Sequence, residues 1–196
     1  RHKIASADLT NYQLITAVSK LGKPILLSCG ASSFQEIQQA VSWIKEHNKE
    51  HLTLLHCVLN YPTPDSEANL RVIPSLKQLN LSDSIGYSDH TRPPSSDLAI
   101  YSAVAFGATV IEKHFTYDKS LPGNDHYHAY DYHDALKLSN TLPHLITILG
   151  SSEPDLISQQ SARINARRSL TFKANMTSGQ SISSHDLIAK RPLAGG

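Results

Sequence analysis

Two histidines that end consecutive predicted strands are the residues best placed to do chemistry. His90 lies in Tyr87-Ser88-Asp89-His90-Thr91, and His114 lies in Glu112-Lys113-His114-Phe115-Thr116. Neighbouring parallel strands lie about 4.8 Å apart, so imidazoles at adjacent strand ends can share one divalent ion and leave positions for substrate and water. Each histidine could instead bond only a loop carbonyl, and the spacing alone leaves both interpretations open.

A histidine-rich loop, residues 123–128, follows the second of these strands. Its Asp125 could accept hydrogen bonds from substrate hydroxyls, and the leading glycine suits a lid. An Asx-type turn with solvated histidines explains the same pattern equally well.

A cation and several hydroxyls lie near the ends of the first two predicted strands. Lys3 and Ser6 lie on the first strand and Ser28 on the second, a set that suits a phosphate or carboxylate. A lone lysine is more often a surface charge. Asp8 is either a ligand for sugar hydroxyls or the N-cap of the following helix, and capping is the stronger interpretation.

These residues are positioned by a repeated pattern of short apolar runs and helical stretches. The runs cover residues 3–6, 24–28, 52–58, 84–88 and 109–114. Helical spacing is present in 34–46, 98–106 and 135–149, with Ser33 and Glu36 as a capping box at the start of the first. Apolar strands that alternate with helices predict a parallel sheet covered on both faces.

The polar strand ends distinguish two parallel folds. In a (β/α)8 barrel all strand ends meet at one mouth, whereas a doubly wound sheet concentrates them at one switch point. Polar residues gather at the ends of all five runs, with His56 and Asn60 at the third, which favours the last five β-α units of a TIM barrel in residues 1–150. A linker and helix, 151–168, then lead into the start of a small domain, 169–196. We expect three strands before Arg1, and so expect this segment alone to be inactive.

Composition bounds the class of protein. The chain has 196 residues, 40% of them hydrophobic, and a net charge of +1, which indicates neither a nucleic-acid surface nor an acidic tail. No apolar run approaches the roughly 20 residues that span a bilayer. Cys29 and Cys57 each lie in an apolar run, as expected for buried, reduced thiols of a cytoplasmic protein.

Taken together, the segments resemble the N-acetylneuraminate (sialic acid) synthase family, which includes the legionaminic acid, pseudaminic acid and spore-coat sugar synthases. The matching segments, in order, are residues 3–8, 23–30, 55–64, 86–91, 111–116, 123–126 and a closing Lys190-Arg191-Pro192. The resemblance implies a TIM barrel followed by an antifreeze-like (SAF) domain, here truncated, and a domain-swapped homodimer. It also implies condensation of phosphoenolpyruvate with an N-acetylmannosamine-like sugar, giving a nine-carbon 2-keto acid and phosphate.

The resemblance further implies roles for single residues. His90 and His114 match the ligands of a divalent metal, Mn²⁺ with Mg²⁺ or Co²⁺ as alternatives, and with Asp125 they are the expected catalytic set. The phosphoenolpyruvate-contacting positions are matched by Lys3, Ser6, Ser28 and Ser88. The sugar-side positions are matched by Asp8, Tyr61 and Asp125, and by Arg191, which in the family reaches the partner subunit's site.

Departures from the family pattern concern the sugar. This chain has Asp8 where the family has Glu, Leu59 where it has Asn and Asn124 where it has Pro. We therefore expect a 2,4-diacetamido-type or otherwise modified sugar. One alternative is a metal-dependent hydrolase on the same barrel, which needs a third or fourth metal ligand, usually His or Asp, at another strand end. His56 is the candidate, although it lies within a predicted strand. A non-catalytic binding module is another alternative.

Overall fold

Five parallel strands in sequence order form the framework of the first part of the chain. The computed structural model describes residues 1–93 and 95–191. It divides the chain into two units, Arg1–Leu149 and Gly150–Gly196. The strands of the first unit are β1 (His2–Ile4), β2 (Ile25–Ser28), β3 (Leu52–His56), β4 (Ser84–Asp89) and β5 (Val110–Lys113). Because the order never reverses, the doubly wound alternative is wrong, and the sheet is a half-barrel wall.

Helices connect these strands. They are α1 (Tyr12–Ser19), α2 (Phe34–His47), α3 (Val72–Gln78), α4 (Ser95–Ala105) and α5 (Tyr132–Leu149), with short 3-10 turns at Ser6–Asp8, Asp65–Glu67 and His126–His128. The capping box predicted for α2 is confirmed, because the Ser33 hydroxyl accepts from the Glu36 N–H and the Glu36 carboxylate accepts from the Ser33 N–H. Helix α3 was not predicted, and α4 and α5 each begin three residues earlier than expected.

The two faces of the sheet differ in chemistry. Ile4, Leu27, Leu54 and Ile85 are in register on the face that packs against the helices, and each is at most 5% exposed. Side chains alternate along a strand, so the intervening residues point to the opposite face, the interior of the half-barrel. That face carries the polar residues, among them Lys3, Ser28, Ser88 and Glu112. The sheet therefore separates an apolar core from a polar interior.

The start of the chain departs from expectation. Strand β1 ends at Ile4 rather than residue 6, and Ser6 and Asp8 lie in a 3-10 turn. The predicted capping of α1 by Asp8 is wrong. Asn11 is the N-cap, and its side-chain oxygen accepts a hydrogen bond from the Leu14 N–H at 3.2 Å. The turn moves the helix start to Tyr12, out of reach of Asp8.

The second unit contains a helix, α6 (Gln160–Ala166), and an antiparallel pair, β6 (Ser169–Phe172) with β7 (Leu187–Lys190). Assignment of this unit to an SAF domain stays a prediction, and Pro192 of the closing family segment lies outside the described residues. Among the helices that the structure describes, none combines the length and apolar character needed to cross a membrane.

Candidate metal centre and substrate site

Three imidazole rings and one tyrosine gather just beyond β4 and β5. His90 follows β4 and His114 follows β5, and their ring centroids are 5.3 Å apart. His128, in the turn His126–His128, places a third ring 5.2 Å from that of His114. The Tyr61 ring lies 4.2 Å from the His90 ring. The structure thus brings His90, His114 and Tyr61 together, and it adds His128, which sequence reasoning left as a loop residue.

One nitrogen of His90 is held by the backbone, and the other contacts the Ser88 hydroxyl at 3.4 Å. Its Nδ1 lies 2.8 Å from the carbonyl oxygen of Val58, so the N–H is on Nδ1 and Nε2 carries the lone pair. Burial lowers the pKa of His90, and the neighbouring His114 lowers it further. A neutral ring with Nδ1–H held by a backbone carbonyl is the form in which histidine binds metals.

Asp125 lies between two of the rings. Its carboxylate oxygens are 3.8 Å from Nδ1 of His114 and 3.7 Å from Nε2 of His128, which is too long for hydrogen bonds. One potential ligand atom from each of these residues lies within 4.8 Å of the others. Ligands held on one ion by bonds of about 2.0–2.2 Å lie about 3–4 Å apart, so the imidazoles and carboxylate fit a divalent ion.

An ion pair crosses the interior of the half-barrel. The Lys3 ammonium on β1 lies 3.1 Å from a Glu112 carboxylate oxygen on β5, and both side chains are about one third exposed. These strands are the two edges of the sheet, so the pair spans the polar interior. Sequence reasoning did not single out Glu112. Glu112 lies two residues before His114 and therefore on the same face of the strand, and this spacing could have identified it as a residue of the interior.

The predicted phosphoenolpyruvate serines differ in how their hydroxyls are used. Ser28 is buried, and within the described chain its hydroxyl has no hydrogen-bond partner. The Ser88 hydroxyl lies 3.4 Å from Nε2 of His90. The Ser6 hydroxyl instead accepts from the Gly30 N–H at 2.8 Å and contacts the Cys57 sulfur at 2.9 Å. The Ser6 hydroxyl thus links the turn after β1 to the loops after β2 and β3, and its role toward phosphoenolpyruvate stays a prediction.

Tight packing surrounds Ser6. A Cβ at Gly30 would lie 2.9 Å from both the Ser6 hydroxyl and the Cys57 sulfur, so only glycine fits there. Both cysteines are free and buried, as expected. Burial raises the pKa of Cys29, which keeps that thiol protonated.

The remaining predicted residues lie in different places. Asp8 is half-buried in the turn after β1. Leu59 is 36% exposed in the loop that carries Tyr61. Arg191 belongs to the second unit, where its Nε donates to the carbonyl oxygen of Asn165 at 3.2 Å. Their roles toward the sugar stay predictions.

His56, the candidate third ligand for the hydrolase alternative, is engaged elsewhere. Its Nε2 lies 2.8 Å from the carbonyl oxygen of Ala68, and its ring stacks on Tyr87 at 5.8 Å between centroids. Tyr87 belongs to the apolar core, so His56 points away from the polar interior. The choice of His56 was wrong because the strand end faces the helices. The third imidazole at the cluster is that of His128.

A buried ion pair ties β4 to β5 immediately before the two histidines. The Lys113 ammonium donates to Asp89 at 2.8 Å, and the side chains are 7% and 0% exposed. Lys113 also donates to the Thr91 carbonyl and the Ser96 hydroxyl, while Asp89 accepts from the Tyr87 hydroxyl. Burial lowers the pKa of Lys113, an effect that Asp89 opposes. This network holds both strand ends in place from the side opposite the site.

Known proteins match the chain along most of its length. The model of the NeuB family matches residues 1–154. The uncharacterized protein MJ1065 of Methanocaldococcus jannaschii is 40% identical over 98% of this chain and 56% of its own length. The N,N'-diacetyllegionaminic acid synthase of Campylobacter jejuni is 36% identical over 98% of this chain and 58% of its own. The chain thus spans somewhat more than half the length of these curated relatives.

A solved structure shares the fold. The N-acetylneuraminic acid synthetase of Leptospira borgpetersenii is 38% identical to the chain and superposes with a TM-score of 0.73. The match covers 82% of this chain and 55% of that protein.

Proposed function

The chain belongs to the NeuB family, and from that premise we propose that it supplies the metal centre and part of the phosphoenolpyruvate site of a sialic-acid-type synthase. The observation that carries this proposal is the convergence of His90 and His114 beside the polar interior of a half-barrel. The centroids of their rings are 5.3 Å apart. Lys3, Ser28 and Ser88 lie on that interior face.

His90 and His114 hold the divalent ion in this proposal, with Mn²⁺ as the expected ion and Mg²⁺ or Co²⁺ as alternatives. A divalent ion held by these two residues would supply Lewis-acid polarisation of the aldehyde oxygen of the open-chain amino sugar. The neutral imidazole of His90, held by Val58, supports this role because its Nε2 lone pair needs no deprotonation before binding.

Lys3 and the serines position phosphoenolpyruvate. The Lys3 ammonium, one third exposed beside Glu112, is available to the phosphate or carboxylate, and Ser28 offers a hydroxyl that has no partner within the described chain. Asp125 is 61% exposed at the mouth and accepts hydrogen bonds from sugar hydroxyls. Holding both substrates in one orientation removes much of the entropic barrier to their reaction.

The proposed reaction forms a carbon–carbon bond and replaces the bridging oxygen on the former enol carbon with an oxygen from water. The methylene carbon of phosphoenolpyruvate attacks the sugar aldehyde carbon, and water adds at the former enol carbon. The bond from that carbon to the bridging oxygen then breaks, and inorganic phosphate leaves. The products are a nine-carbon 2-keto acid and phosphate.

We propose a 2,4-diacetamido-type sugar rather than plain N-acetylmannosamine. The changes at Asp8, Leu59 and Asn124 all fall at sugar-side positions of the family pattern. Relatives from Campylobacter jejuni and Legionella pneumophila, each 36% identical, carry the name N,N'-diacetyllegionaminic acid synthase, which supports a substrate with two acetamido groups.

The second unit completes the proposal. Residues 151–168 serve as linker and helix, and residues 169–196 begin an SAF domain. In a domain-swapped homodimer, Arg191 would reach the partner subunit's site and contact the N-acyl group. Matches that cover 98% of the chain include this unit and support its place in the family architecture.

The test is a substrate competition with the complete gene product that contains this chain. It is incubated with phosphoenolpyruvate, Mn²⁺ and equal amounts of a 2,4-diacetamido hexose and N-acetylmannosamine, and the keto acids are separated by mass. We expect the diacetamido product to dominate. A clear preference for N-acetylmannosamine would refute the sugar assignment, and no keto acid with any amino sugar would refute the synthase.

A further inference from the structure

The side chain of His128 is buried beside the proposed metal centre, and the proposed reaction gives it no role. It is 1% exposed, and within the described chain its Nε2 has no hydrogen-bond partner. Its Nδ1 lies 3.3 Å from the carbonyl oxygen of Asp125, which places the N–H on Nδ1 and the lone pair on Nε2. Buried polar atoms are nearly always paired, so this lone pair calls for a partner that the chain itself does not provide.

The free nitrogen faces the cluster of His114 and Asp125. Nε2 is 3.7 Å from a carboxylate oxygen of Asp125, and the ring lies 5.2 Å from that of His114. These gaps are too wide for direct hydrogen bonds but match the separation of two ligands on one ion. His114, Asp125 and His128 each offer one potential ligand atom, and these three atoms lie within 4.8 Å of one another.

His128 is also held in the same way as His90. In both residues Nδ1 bonds to a backbone carbonyl, of Asp125 and of Val58 respectively. This arrangement fixes the ring orientation and leaves Nε2 unprotonated, as in metal-binding histidines. His133, five residues later on α5, is by contrast exposed.

We propose that His128 is a third imidazole ligand of the ion, through Nε2, and that Asp125 joins it on the same ion. The inference rests on the proposed metal centre at His90 and His114. Mg²⁺ prefers oxygen ligands, and the affinity of nitrogen-containing sites for first-row ions rises from Mn²⁺ to Co²⁺. A centre with three imidazoles therefore disfavours Mg²⁺ and should bind Co²⁺ more tightly than Mn²⁺.

The experiment measures ion binding rather than turnover. The metal-stripped gene product is titrated with Mn²⁺ and the free ion is followed by electron paramagnetic resonance, for the wild type, His90→Ala, His128→Ala and the matched control His133→Ala. We expect the dissociation constant of His128→Ala to rise at least about tenfold. The control should bind as the wild type does, and Mg²⁺ should compete poorly.

A second readout does not depend on how any variant folds. Pulsed resonance of Mn²⁺ in the wild type, with all histidines labelled with nitrogen-15, counts the directly bound imidazoles, and three are expected. If only two bound imidazoles are found, the inference about His128 fails and the proposed function stands. The same holds if His128→Ala binds Mn²⁺ as the wild type does while His90→Ala binds it more weakly. If the wild type binds no Mn²⁺ near these residues, the proposed metal centre fails as well.

Discussion

Replacing Lys113 by methionine should destabilise the protein severely, because it leaves a buried carboxylate without its countercharge. The Asp89 side chain is fully buried, and that of Lys113 is 7% exposed. Methionine keeps most of the stem and its packing, so the loss is that of the ammonium and its bonds to Asp89, Thr91 and Ser96.

The size of the effect follows from burial. Removing one partner of a buried ion pair costs about 3–5 kcal/mol, whereas whole domains are stable by about 5–15 kcal/mol. Lys113→Met should therefore lower the free energy of unfolding by about 3–5 kcal/mol. Since the pair joins β4 and β5 just before His90 and His114, the variant should also bind Mn²⁺ more weakly.

Urea denaturation of the gene product, followed by circular dichroism, measures this change. The matched control is Lys137→Met, which breaks an ion pair with the 18% exposed Asp97. It should lower the midpoint far less, because the Lys137 side chain is 65% exposed and Asp97 keeps the hydrogen bond from the Tyr130 hydroxyl. Asp89→Asn and the double variant complete a double-mutant cycle. A loss below about 1 kcal/mol in Lys113→Met, or strict additivity in the cycle, would refute the structural role assigned to the pair.

His90→Ala and His114→Ala should each abolish metal-dependent turnover while the circular dichroism spectrum stays unchanged, and full activity in either variant would remove the metal assignment. Stability should fall as the pH drops below about 6.5, the usual pKa of histidine. Burial lowers the pKa of His56 in the folded state, so below that pH the unfolded state binds more protons. The pH slope should flatten in His56→Asn, and an unchanged slope in urea titrations would contradict this cause. Residues 1–196 expressed alone should show no turnover, because the outer edges of β1 and β5 lack a strand partner in the described chain. Measurable product formation by this segment would contradict that expectation.

Local signals predicted much of the fold. The five apolar runs with polar ends indicated the parallel strands and their order, and the Ser33 and Glu36 pair indicated the start of α2, because each signal depends on residues close in sequence. The turn at Ser6–Asp8 was missed since apolar and polar residues there also suit a strand end, and Asn11 rather than Asp8 became the cap.

The site was only partly accessible from sequence. His90 and His114 were found because adjacent parallel strands place their ends together. His128 lies in an irregular loop, and its direction depends on packing against Tyr61 and His114, which no local pattern encodes. The alternation of side chains along a strand could have placed Glu112 on the same face as His114. Its ion pair with Lys3 joins the two edge strands, however, and no local sequence pattern predicts that contact.

The fate of the bridging oxygen of phosphoenolpyruvate tests the proposed reaction most directly. The gene product is supplied with Mn²⁺, the amino sugar and phosphoenolpyruvate labelled with oxygen-18 at the bridging position, and the released phosphate is examined by phosphorus NMR. Condensation with carbon–oxygen cleavage predicts labelled phosphate, formed only when the sugar is present. Unlabelled phosphate would show attack of water at phosphorus, and phosphate released equally well without sugar would show hydrolysis uncoupled from condensation. Either result would contradict the proposed synthase and favour a metal-dependent hydrolase.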